Sequence, residues 1–582
     1  MSFKNSFIDY LNSMNNANSN SENALAESQI LTEYYDLIMI ERKLGVNIYE
    51  YLFGDEPSAV ILTGHAGDGK TSILVQILKN MGYFDQKKPL KDKEYVNEKL
   101  FYVKDMSELS EKTQNSILEE FLLAPTNNIS SILISNTGPL INTFKRILEE
   151  NGTEEKEIDN FEMKLLDLLD KVEEDIGIIN IKGKDLKFKV INMAKIDNTY
   201  FINEILERIL KPELWEPCGI CTEKNRCPIY FNYRVIDKNR KRIIDFIERL
   251  YIWFNENQSR LTIRQMLSHI SFSITGNLNC RDVQSKIANC PNSIFEYAFA
   301  NLFFGYKGQV FINECYNIKA IRELNKLRLD EIALVEDYQL FVKEDYGIFD
   351  NEIQELLETT LKNNIASLGI NSEKSVKIRR AFRRFYILLS DAEGFESLLS
   401  QIFSDTFNIY FEIREKQSLS YNLRNKLRDI IFDALYKIYL GVYPLDNDKL
   451  YLTLKKNYDD VQNVQLILGD IDKTNIDIIQ KEIRDILTES GKSYATFIEF
   501  GRNGPKYKLD LQTLDYLNSI REGAIFTSLN PNFTFGLMKL KTNLLRYYRY
   551  KDNNEIQLLV IKKNSIEKIK LAVEGDTLYA NI

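Results

Sequence analysis

The stretch "AVILTGHAGDGKTSILVQIL", Ala59–Leu78, decides how this chain is interpreted. Within it, Gly64–Thr71 reads G-H-A-G-D-G-K-T and matches the pattern G-x-x-x-x-G-K-[ST] in full. The apolar run Ala59–Leu62 suits a short buried parallel strand, and apolar residues at helical spacing follow the loop. The stretch therefore predicts a strand, a phosphate-binding loop and a helix in that order, in preference to a glycine turn that binds nothing.

The chemistry of such a loop follows from its backbone. The predicted nucleotide contacts are Gly64, His65, Ala66, Gly67, Asp68, Gly69, Lys70, Thr71 and Ser72. Glycines let backbone N–H groups face phosphate oxygens, and the positive end of the following helix adds to the attraction. Lys70 would reach the β- and γ-phosphates, and the Thr71 hydroxyl would ligate Mg²⁺. ATP and Mg²⁺ are the predicted cofactors.

A second apolar strand, Leu100–Val103, is followed closely by Asp105. Open α/β sheets bind ligands at the carboxyl ends of their strands, so we expect Asp105 to hold Mg²⁺. Glu108 is the candidate to orient an attacking water. Met106 and Ser107 separate the two carboxylates, so Glu108 is either catalytic or a solvated loop glutamate.

Two more strands complete a predicted sheet of at least four. Ile132–Ile134 runs into Asn136, which either senses the γ-phosphate or forms part of an Asn-Thr-Gly-Pro turn. The fourth strand is predicted over Lys187–Ala194. The intervening segment, roughly Asn151 to Asp185, is acidic and is expected to be a helical surface insertion.

Beyond this core, Cys218, Cys221 and Cys227 have the spacing of a metal-binding knuckle. Two thiolates two residues apart fit tetrahedral zinc, and a third follows after a short loop. A fourth ligand is missing locally, and the candidates are Cys280, Cys290, Cys315 and His269. The alternative is a set of reduced cysteines in a tight loop.

The segment "RLTIRQMLSHI" predicts a helix with an apolar face that leaves Arg260 and Arg264 to point elsewhere. In ring and clamp ATPases, a helix after the core presents an arginine to the nucleotide, because a guanidinium neutralises charge on the transferred phosphoryl group. Arg264 is the candidate for that role, with a plain surface arginine as the alternative.

The most basic segment is Glu373–Leu389, "EKSVKIRRAFRRFYILL". As a helix it buries an apolar stripe and places Lys377, Arg380 and Arg384 on another face. That face would grip a nucleic-acid backbone, receive an acidic partner or supply an arginine to a neighbouring site. The alternative is a solvated face neutralised by nearby carboxylates.

The bulk properties fit a multidomain cytoplasmic protein. The chain has 582 residues, a formal net charge of −9 and six cysteines, too few for a disulfide framework. No apolar run reaches the roughly 18 residues of a membrane span. We divide the chain into a flexible leader (1–30), a nucleotide-binding core (31–205), a lid with the cysteine knuckle (206–320) and a C-terminal region (321–582). The predicted fold is an α/β P-loop NTPase core, with a parallel sheet flanked by helices, followed by mostly α-helical domains with a small β-containing end.

Several segments together resemble a known family. "GHAGDGKT", "KDMSEL", "WEPCGICTEKNRCPI", "LTIRQMLSHI", "IRRAFRRFYIL" and "KYKLDLQTLDYLNSIREG" are similar to DNA phosphorothioation-dependent restriction proteins of the DptF type and to related AAA+/STAND-like P-loop ATPases of bacterial defence systems, from about residue 31 to about residue 550. The resemblance implies an ATPase subunit that acts with partner proteins in a restriction complex recognising foreign DNA. Carried over by residue, it supports Lys70, Thr71, Asp105, Glu108 and the cysteine cluster.

The leading hypothesis is a Mg²⁺-dependent ATPase that drives assembly or DNA engagement of an antiviral restriction complex. DNA would be contacted directly or through partner subunits, with a homo-oligomer as a further possibility and no membrane. The chain carries no paired acidic and lysine motif of a restriction nuclease, so cleavage is assigned to another subunit. The alternative is a nucleotide-gated scaffold or regulator, including an ATP-dependent transcription factor, with little turnover.

Overall fold

The structure is a computed structural model, and the chain forms two compact units. The first comprises residues 1–402 and 485–491, and the second comprises residues 403–484 and 492–582. The residues that the structure describes are 4–15, 32–84, 88–170, 176–287, 290, 292–365, 372–414, 416–444, 447–454, 462–483, 493–524, 531–550, 555–562, 565–574 and 577–581. The predicted borders at 205/206 and 320/321 both fall inside the first unit.

The helices and strands of the first unit alternate in its first half and are mostly helical thereafter. The helices are α1 Ser6–Ser13, α2 Tyr35–Ile38, α3 Lys43–Leu52, α4 Lys70–Asn80, α5 Glu111–Leu123, α6 Thr137–Glu150, α7 Glu155–Asp170, α8 Ile202–Ile209, α9 Pro212–Gly219, α10 Pro228–Lys238, α11 Arg240–Glu256, α12 Ile263–Thr275, α13 Cys280–Asp282, α14 Ser293–Glu296, α15 Phe299–Leu302, α16 Lys319–Leu327, α17 Asp337–Phe341, α18 Asn351–Ile365, α19 Glu373–Leu389 and α20 Ala392–Ile402. The strands are β1 Ala59–Thr63, β2 Lys93–Val96, β3 Leu100–Val103, β4 Ser130–Ile134, β5 Ile176–Ile181, β6 Lys184–Asn192, β7 Tyr306–Lys307 and β8 Val310–Phe311.

A six-stranded mixed sheet, in the order β2-β3-β4-β1-β6-β5, organises the described part of the first unit. The four strands predicted from the sequence are its central members and run parallel; Ile61 of β1 pairs with Leu133 on one side and Val190 on the other. The outer strands β2 and β5 are antiparallel to their neighbours and were not predicted. Parallel strands place their carboxyl ends at one edge, which is where the site lies.

Helices cover both faces of this sheet, as the near-continuous apolar character of the central strands requires. On one face, Ile61 and Leu133 pack in a core with residues of α5, α6 and α7. On the other, Val60 and Ile132 pack in a core with residues of α3 and α4. The predicted parallel sheet flanked by helices is confirmed for the four central strands, whereas the two antiparallel edge strands make the whole sheet mixed.

The acidic segment predicted as a helical surface insertion is only partly helical. Glu155–Asp170 is a helix, but Ile176–Ile181 pairs with β6 as an edge strand. Its residues alternate, with Ile179 and Ile181 buried in the core that contains Phe188. The segment therefore belongs to the sheet, because its alternating isoleucines need a strand to bury one face.

The predicted flexible leader is also wrong where the structure describes it. Residues 6–13 form a helix that buries Phe7 and Leu11, and the Asn5 side chain caps it by accepting the Phe7 N–H at 3.0 Å. The remainder of the leader, except for residues 4, 5, 14 and 15, lies outside the described residues.

The second unit combines helices with two antiparallel sheets. Its helices are α21 Asp405–Ile413, α22 Tyr421–Leu440, α23 Leu511–Arg521 and α24 Pro531–Tyr548. Its strands are β9 Lys449–Thr453, β10 Val464–Asp472, β11 Ile476–Ile483, β12 Ser493–Phe500, β13 Lys506–Lys508, β14 Glu555–Ile561, β15 Ile566–Glu574 and β16 Thr577–Asn581. The sheets have the orders β16-β15-β14-β10-β9 and β11-β12-β13. The expectation of a mostly helical region holds for the described residues between 321 and 440, but the expectation of a small β-containing end is wrong, since strands begin at Lys449.

Candidate functional site

The main cavity of the described first unit, about 180 Å³, lies at the carboxyl ends of the parallel strands. The predicted residues that line it are Ala66, Gly67, Gly69, Lys70, Thr71, Ser72, Asp105, Glu108, Asn136 and Arg264. All five predicted catalytic residues are among them. Of the predicted nucleotide contacts, Gly64, His65 and Asp68 do not line the cavity.

The loop Gly64–Thr71, called the glycine loop below, needs its glycines for two different reasons. Gly64, Gly67 and Gly69 have backbone φ angles of +143°, +87° and +87°, which residues other than glycine rarely adopt. Gly67 also has no room for a side chain, since an added Cβ would lie 2.8 Å from the Thr262 Oγ1 and 3.0 Å from the Arg264 Cβ. The loop thus turns sharply and at the same time touches the start of α12.

Lys70 is the first residue of α4 and points back across the glycine loop. Its Nζ atom donates to the backbone oxygens of Gly64 and His65, each at 2.9 Å, and lies 3.4 Å from the Asn136 Oδ1. Burial lowers the pKa of Lys70, and the nearby Asp68 and Asp105 act in the opposite direction. A helix N-terminus, loop N–H groups and an ammonium group together can bind an anion.

The ends of β3 and β4 are joined by a polar network beside the cavity. The Asp105 Oδ1 accepts the Ser107 N–H at 2.9 Å, and the Ser107 Oγ accepts the Asn136 N–H at 2.7 Å. Ser107 thereby fixes the two strand ends that carry Asp105 and Asn136. Carboxylate, hydroxyl and amide oxygens are the ligands that Mg²⁺ prefers, and Asp105 and Thr71 line one cavity.

Arg264 lies in the first turn of α12, which a capping box of Thr262 and Gln265 starts. Its backbone N–H faces the Gly67 oxygen at 3.4 Å, and its charge is close enough to Lys70 to lower the pKa of that group further. The helix after the core therefore does bring a guanidinium to the glycine loop, within the same chain.

Asp68, predicted to contact nucleotide, uses its side chain for another purpose. The carboxylate is fully buried, accepts the His65 N–H at 2.8 Å and pairs with the Arg260 Nη1 at 2.8 Å. Arg260 also donates to the backbone oxygens of Ile196 and Met193, at 2.9 and 3.0 Å. The physical reason is loop shape: the side chain turns inward and closes the loop on itself.

Arg42 supports the glycine loop from the opposite direction, and no sequence pattern singles it out. Its Nη1 donates to the backbone oxygen of Asp68 at 2.8 Å, and its guanidinium lies 5.0 Å from the centre of the Phe201 ring. Its backbone exchanges two hydrogen bonds with the Gln76 side chain, at 3.0 and 2.9 Å. These contacts hold the loop conformation from residues far away in sequence.

One wall of the cavity is apolar, a feature that the sequence analysis missed. The residues that form it are Tyr10, Met14, Tyr35, Ile38, Met39, Ile40, Ile263 and Leu267. They come from α1, the segment around α2, and α12. The run "LIMI" at Leu37–Ile40 was the available signal, although alone it reads as core. Such a wall can accept a flat apolar group beside an anion site.

The predicted cysteine knuckle lies in the first unit, away from this cavity. Cys218, Cys221 and Cys227 line a smaller cavity of about 30 Å³ together with Cys280, whereas Cys290 and Cys315 do not line it. His269 is buried elsewhere, with Nδ1 2.8 Å from the Tyr251 hydroxyl and Nε2 2.8 Å from the Phe303 oxygen. Within the described ranges, no group of three or more His, Cys, Asp or Glu side chains is placed so that it could hold a metal ion.

The predicted basic face of α19 is corrected by the structure. Arg384 is buried, with its Nη1 2.6 Å from the Asp330 carboxylate, its Nε 3.0 Å from the Asn301 Oδ1 and its guanidinium 4.0 Å from the centre of the Tyr306 ring. Arg380 and Lys377 pair with Glu331 and Glu373, at 3.1 and 2.7 Å. Arg384 is therefore a core residue, and its buried charge is paired with the Asp330 carboxylate.

Comparison with known proteins does not supply a family. No protein-family model, no curated protein and no solved structure matches this chain. Nor does any helix in the described ranges have the length and apolar character needed to traverse a bilayer.

Proposed function

We propose that the first unit binds Mg-ATP in the main cavity and hydrolyses it. The observation that carries this proposal is the convergence of Lys70, Thr71, Asp105, Asn136 and Arg264 on one cavity at the carboxyl ends of parallel strands. These residues come from distant parts of the chain, yet each supplies a group that phosphoryl transfer requires.

Each side chain has a distinct task in this proposal. The glycine loop N–H groups and Lys70 bind the β- and γ-phosphates, while Thr71 and Asp105 hold Mg²⁺. Asn136 orients the γ-phosphate, and Glu108 positions the attacking water. Arg264 neutralises charge that develops on the transferred group, and the apolar wall around Ile40 takes the base.

Lys70 would exchange its hydrogen-bond acceptors when nucleotide binds. Its ammonium is held by the Gly64 and His65 oxygens and approaches Asn136. Phosphate oxygens are stronger acceptors for an ammonium than neutral carbonyls are, since charge-assisted hydrogen bonds are about twice as strong. The side chain would swing from the loop oxygens to the phosphates while remaining near Asn136.

Nucleotide binding is tested first, by titration calorimetry of the full chain with ATP and with GTP in the presence of Mg²⁺. Lys70→Ala should weaken ATP binding by about 10- to 100-fold, as expected for loss of a charged hydrogen bond. The matched control is Lys112→Ala, since Lys112 is an exposed lysine on α5. Unchanged affinity in Lys70→Ala, or no binding by the unaltered chain, would overturn the proposal.

A specific observation favours the second candidate, a nucleotide-gated scaffold or regulator. The glycine loop contacts α12 directly, through Gly67 against Thr262 and through the Arg264 N–H. Nucleotide binding could therefore shift α12 without any turnover. Steady-state phosphate release separates the two: turnover abolished by Asp105→Asn supports the ATPase, whereas tight binding with no turnover supports the scaffold.

We further propose that this ATPase acts in a bacterial DNA-restriction complex with partner subunits. The support is the resemblance of six segments, from "GHAGDGKT" to "KYKLDLQTLDYLNSIREG". The net charge of −9 favours DNA contact through partners over contact through the bulk surface of this chain. DNA-stimulated ATP turnover that appears only with co-purified partners is the expected result, and turnover indifferent to DNA and partners would contradict it.

A further inference from the structure

Four of the six cysteines line one small cavity in the first unit. Cys218, Cys221, Cys227 and Cys280 lie around a space of about 30 Å³, with Asn5 and Tyr230 also in its wall. Three of them are close in sequence, whereas Cys280 is the first residue of α13, the helix that follows α12. By the same measure a water needs about 10–15 Å³, so the space suits a single ion and not a polynuclear cluster.

The backbone around the first three cysteines forms two tight turns. Cys218 lies at the end of α9, and its oxygen accepts the Cys221 N–H at 3.2 Å. Cys227 is the residue that directly precedes α10. The positive end of a helix favours a sulfur anion, whereas burial raises the pKa of the Cys227 thiol to about 11.

Asn5 connects Cys280 to Cys218. Its backbone N–H lies 3.4 Å from the Cys280 Sγ, and its Nδ2 lies 3.3 Å from the Cys218 Sγ. One residue thus donates hydrogen bonds to two sulfurs that are distant in sequence. Donors directed at ligand sulfurs are the usual surroundings of thiolate metal sites.

The four thiols lie near one another, since all of them line the same cavity. All four are free thiols rather than disulfides.

We propose that Cys218, Cys221, Cys227 and Cys280 bind one zinc ion as a tetrahedral four-thiolate site. Four thiols release four protons to the solvent and form four Zn–S bonds, with no change of oxidation state. Thiolates select zinc over harder cations, and the Cys-x-x-Cys spacing suits tetrahedral geometry. In the described residues these sulfurs are not placed so that they could hold a metal ion, so zinc binding would require the cysteine side chains to rotate toward the centre of the cavity.

The ion would fasten α1 to the rest of the unit. Asn5 caps α1 while it bonds to Cys218 and Cys280, and Phe7 packs edge-on against Trp215 at 5.8 Å. Further along, Tyr10 and Met14 line the main cavity. Zinc would therefore stabilise one wall of that cavity from a site that does not touch it.

The test uses the full chain purified under reducing conditions, with metal content measured by plasma mass spectrometry. One zinc per chain is expected. Cys280→Ser should lose it, whereas the matched control Cys290→Ser should retain it, because Cys290 does not line the cavity. Asn5→Ala should weaken zinc affinity by about 10- to 100-fold in competition with a chromophoric chelator, since it removes a donor to a ligand and no ligand.

A second measurement covers the case in which Cys280→Ser fails to fold. Zinc should protect four of the six cysteines of the unaltered chain from alkylation, as read by mass spectrometry, and Co²⁺ should give the absorption of a tetrahedral thiolate site. Retention of zinc by folded Cys280→Ser, bound iron with sulfide, or equal alkylation of all six cysteines with and without zinc would each overturn the proposal.

Discussion

The Arg260 Nη1 lies 2.8 Å from the fully buried Asp68 carboxylate, which joins the centre of the glycine loop to the segment that precedes α12. The same guanidinium donates to the oxygens of Met193 and Ile196, beyond the end of β6. Arg260 therefore connects the glycine loop, the end of the sheet and the segment before α12, although it does not line the cavity. The loop conformation is held by this arginine as well as by the glycines.

The first prediction concerns this ion pair. Arg260→Met should lower the free energy of unfolding of the first unit by about 3 kcal/mol, because it leaves the buried Asp68 carboxylate without its partner. Urea unfolding followed by tryptophan fluorescence measures the change, since Trp215 and Trp253 both lie in this unit.

The control for that variant is Arg208→Met, which removes the more exposed pair with Glu204 on α8. Such a helical pair contributes only about 0.3–0.5 kcal/mol. Equal losses in the two variants would contradict the special role of Asp68, and the double change Arg260→Met with Asp68→Asn should recover part of the loss.

The second prediction separates binding from chemistry at Arg264. If the proposed hydrolysis is correct, Arg264→Ala should reduce kcat by about 10³-fold, as expected for an arginine that stabilises transferred charge. ATP affinity should change little, because the Arg264 N–H that faces Gly67 is a backbone group and remains. Arg281→Ala, at an exposed arginine, is the control. A parallel fall in affinity and kcat would assign Arg264 to ground-state binding.

The third prediction tests the corrected role of Arg384. Arg384→Met should destabilise the first unit by about 3–5 kcal/mol, since Asp330 would remain buried without its cation. Lys377→Ala on the same helix should cost less than about 1 kcal/mol, because Lys377 and Glu373 are exposed. Thermal unfolding of both variants measures the difference. If the Arg384→Met chain were soluble and as stable as the unaltered chain, Arg384 would not have the stabilising role in the core that is predicted here.

The fourth prediction is a pH dependence caused by His269. Burial lowers its pKa to about 4, so the folded chain keeps it neutral where the unfolded chain, with a pKa of about 6.5, binds a proton. Its contribution to stability is therefore complete above about pH 6.5 and is lost as the pH falls toward 4. The lost free energy is on the order of 3 kcal/mol.

Unfolding of His269→Gln between pH 4 and 7 checks this effect. The variant should show a flatter dependence of stability on pH than the unaltered chain. The chain has two histidines, and His65→Gln is the matched control because His65 is exposed. Identical slopes in His269→Gln and the unaltered chain would contradict the assignment.

The central sheet could be predicted from the sequence because its strands are apolar runs followed by polar residues, as in Leu100–Val103 before Asp105. The edge strands β2 and β5 carry a weaker sequence signal, since β2 begins with the charged Lys93 and Glu94 and the isoleucines of β5 lie on both faces. In the second unit, Val464–Asp472 alternates between buried and more exposed residues, but its sequence hides that period, because Gln465 and Gly469 are at buried positions and the apolar Leu466 is at a more exposed one.

The cavity could be predicted in part, for a physical reason. Asp105 and Asn136 closely follow strands, and Lys70 ends the glycine loop that follows β1, so local sequence places all three at one edge of the sheet. Arg42, Arg260 and Cys280 act only through tertiary contacts, and no local pattern distinguishes a guanidinium that supports a loop from one in solvent. The defence role stays a prediction, as it depends on resemblance alone.

The crowding at Gly67 has an evolutionary consequence. Because its missing side chain makes room for Thr262 and Arg264, a descendant that had abandoned its ligand would still need glycine there to keep two parts of its backbone joined. Such a chain would be freer to lose Lys70 or Asp105, to which the proposed function assigns contacts with the ligand. A glycine retained at this position among relatives would therefore indicate conserved packing, and only retained Lys70 and Asp105 would indicate conserved ligand binding.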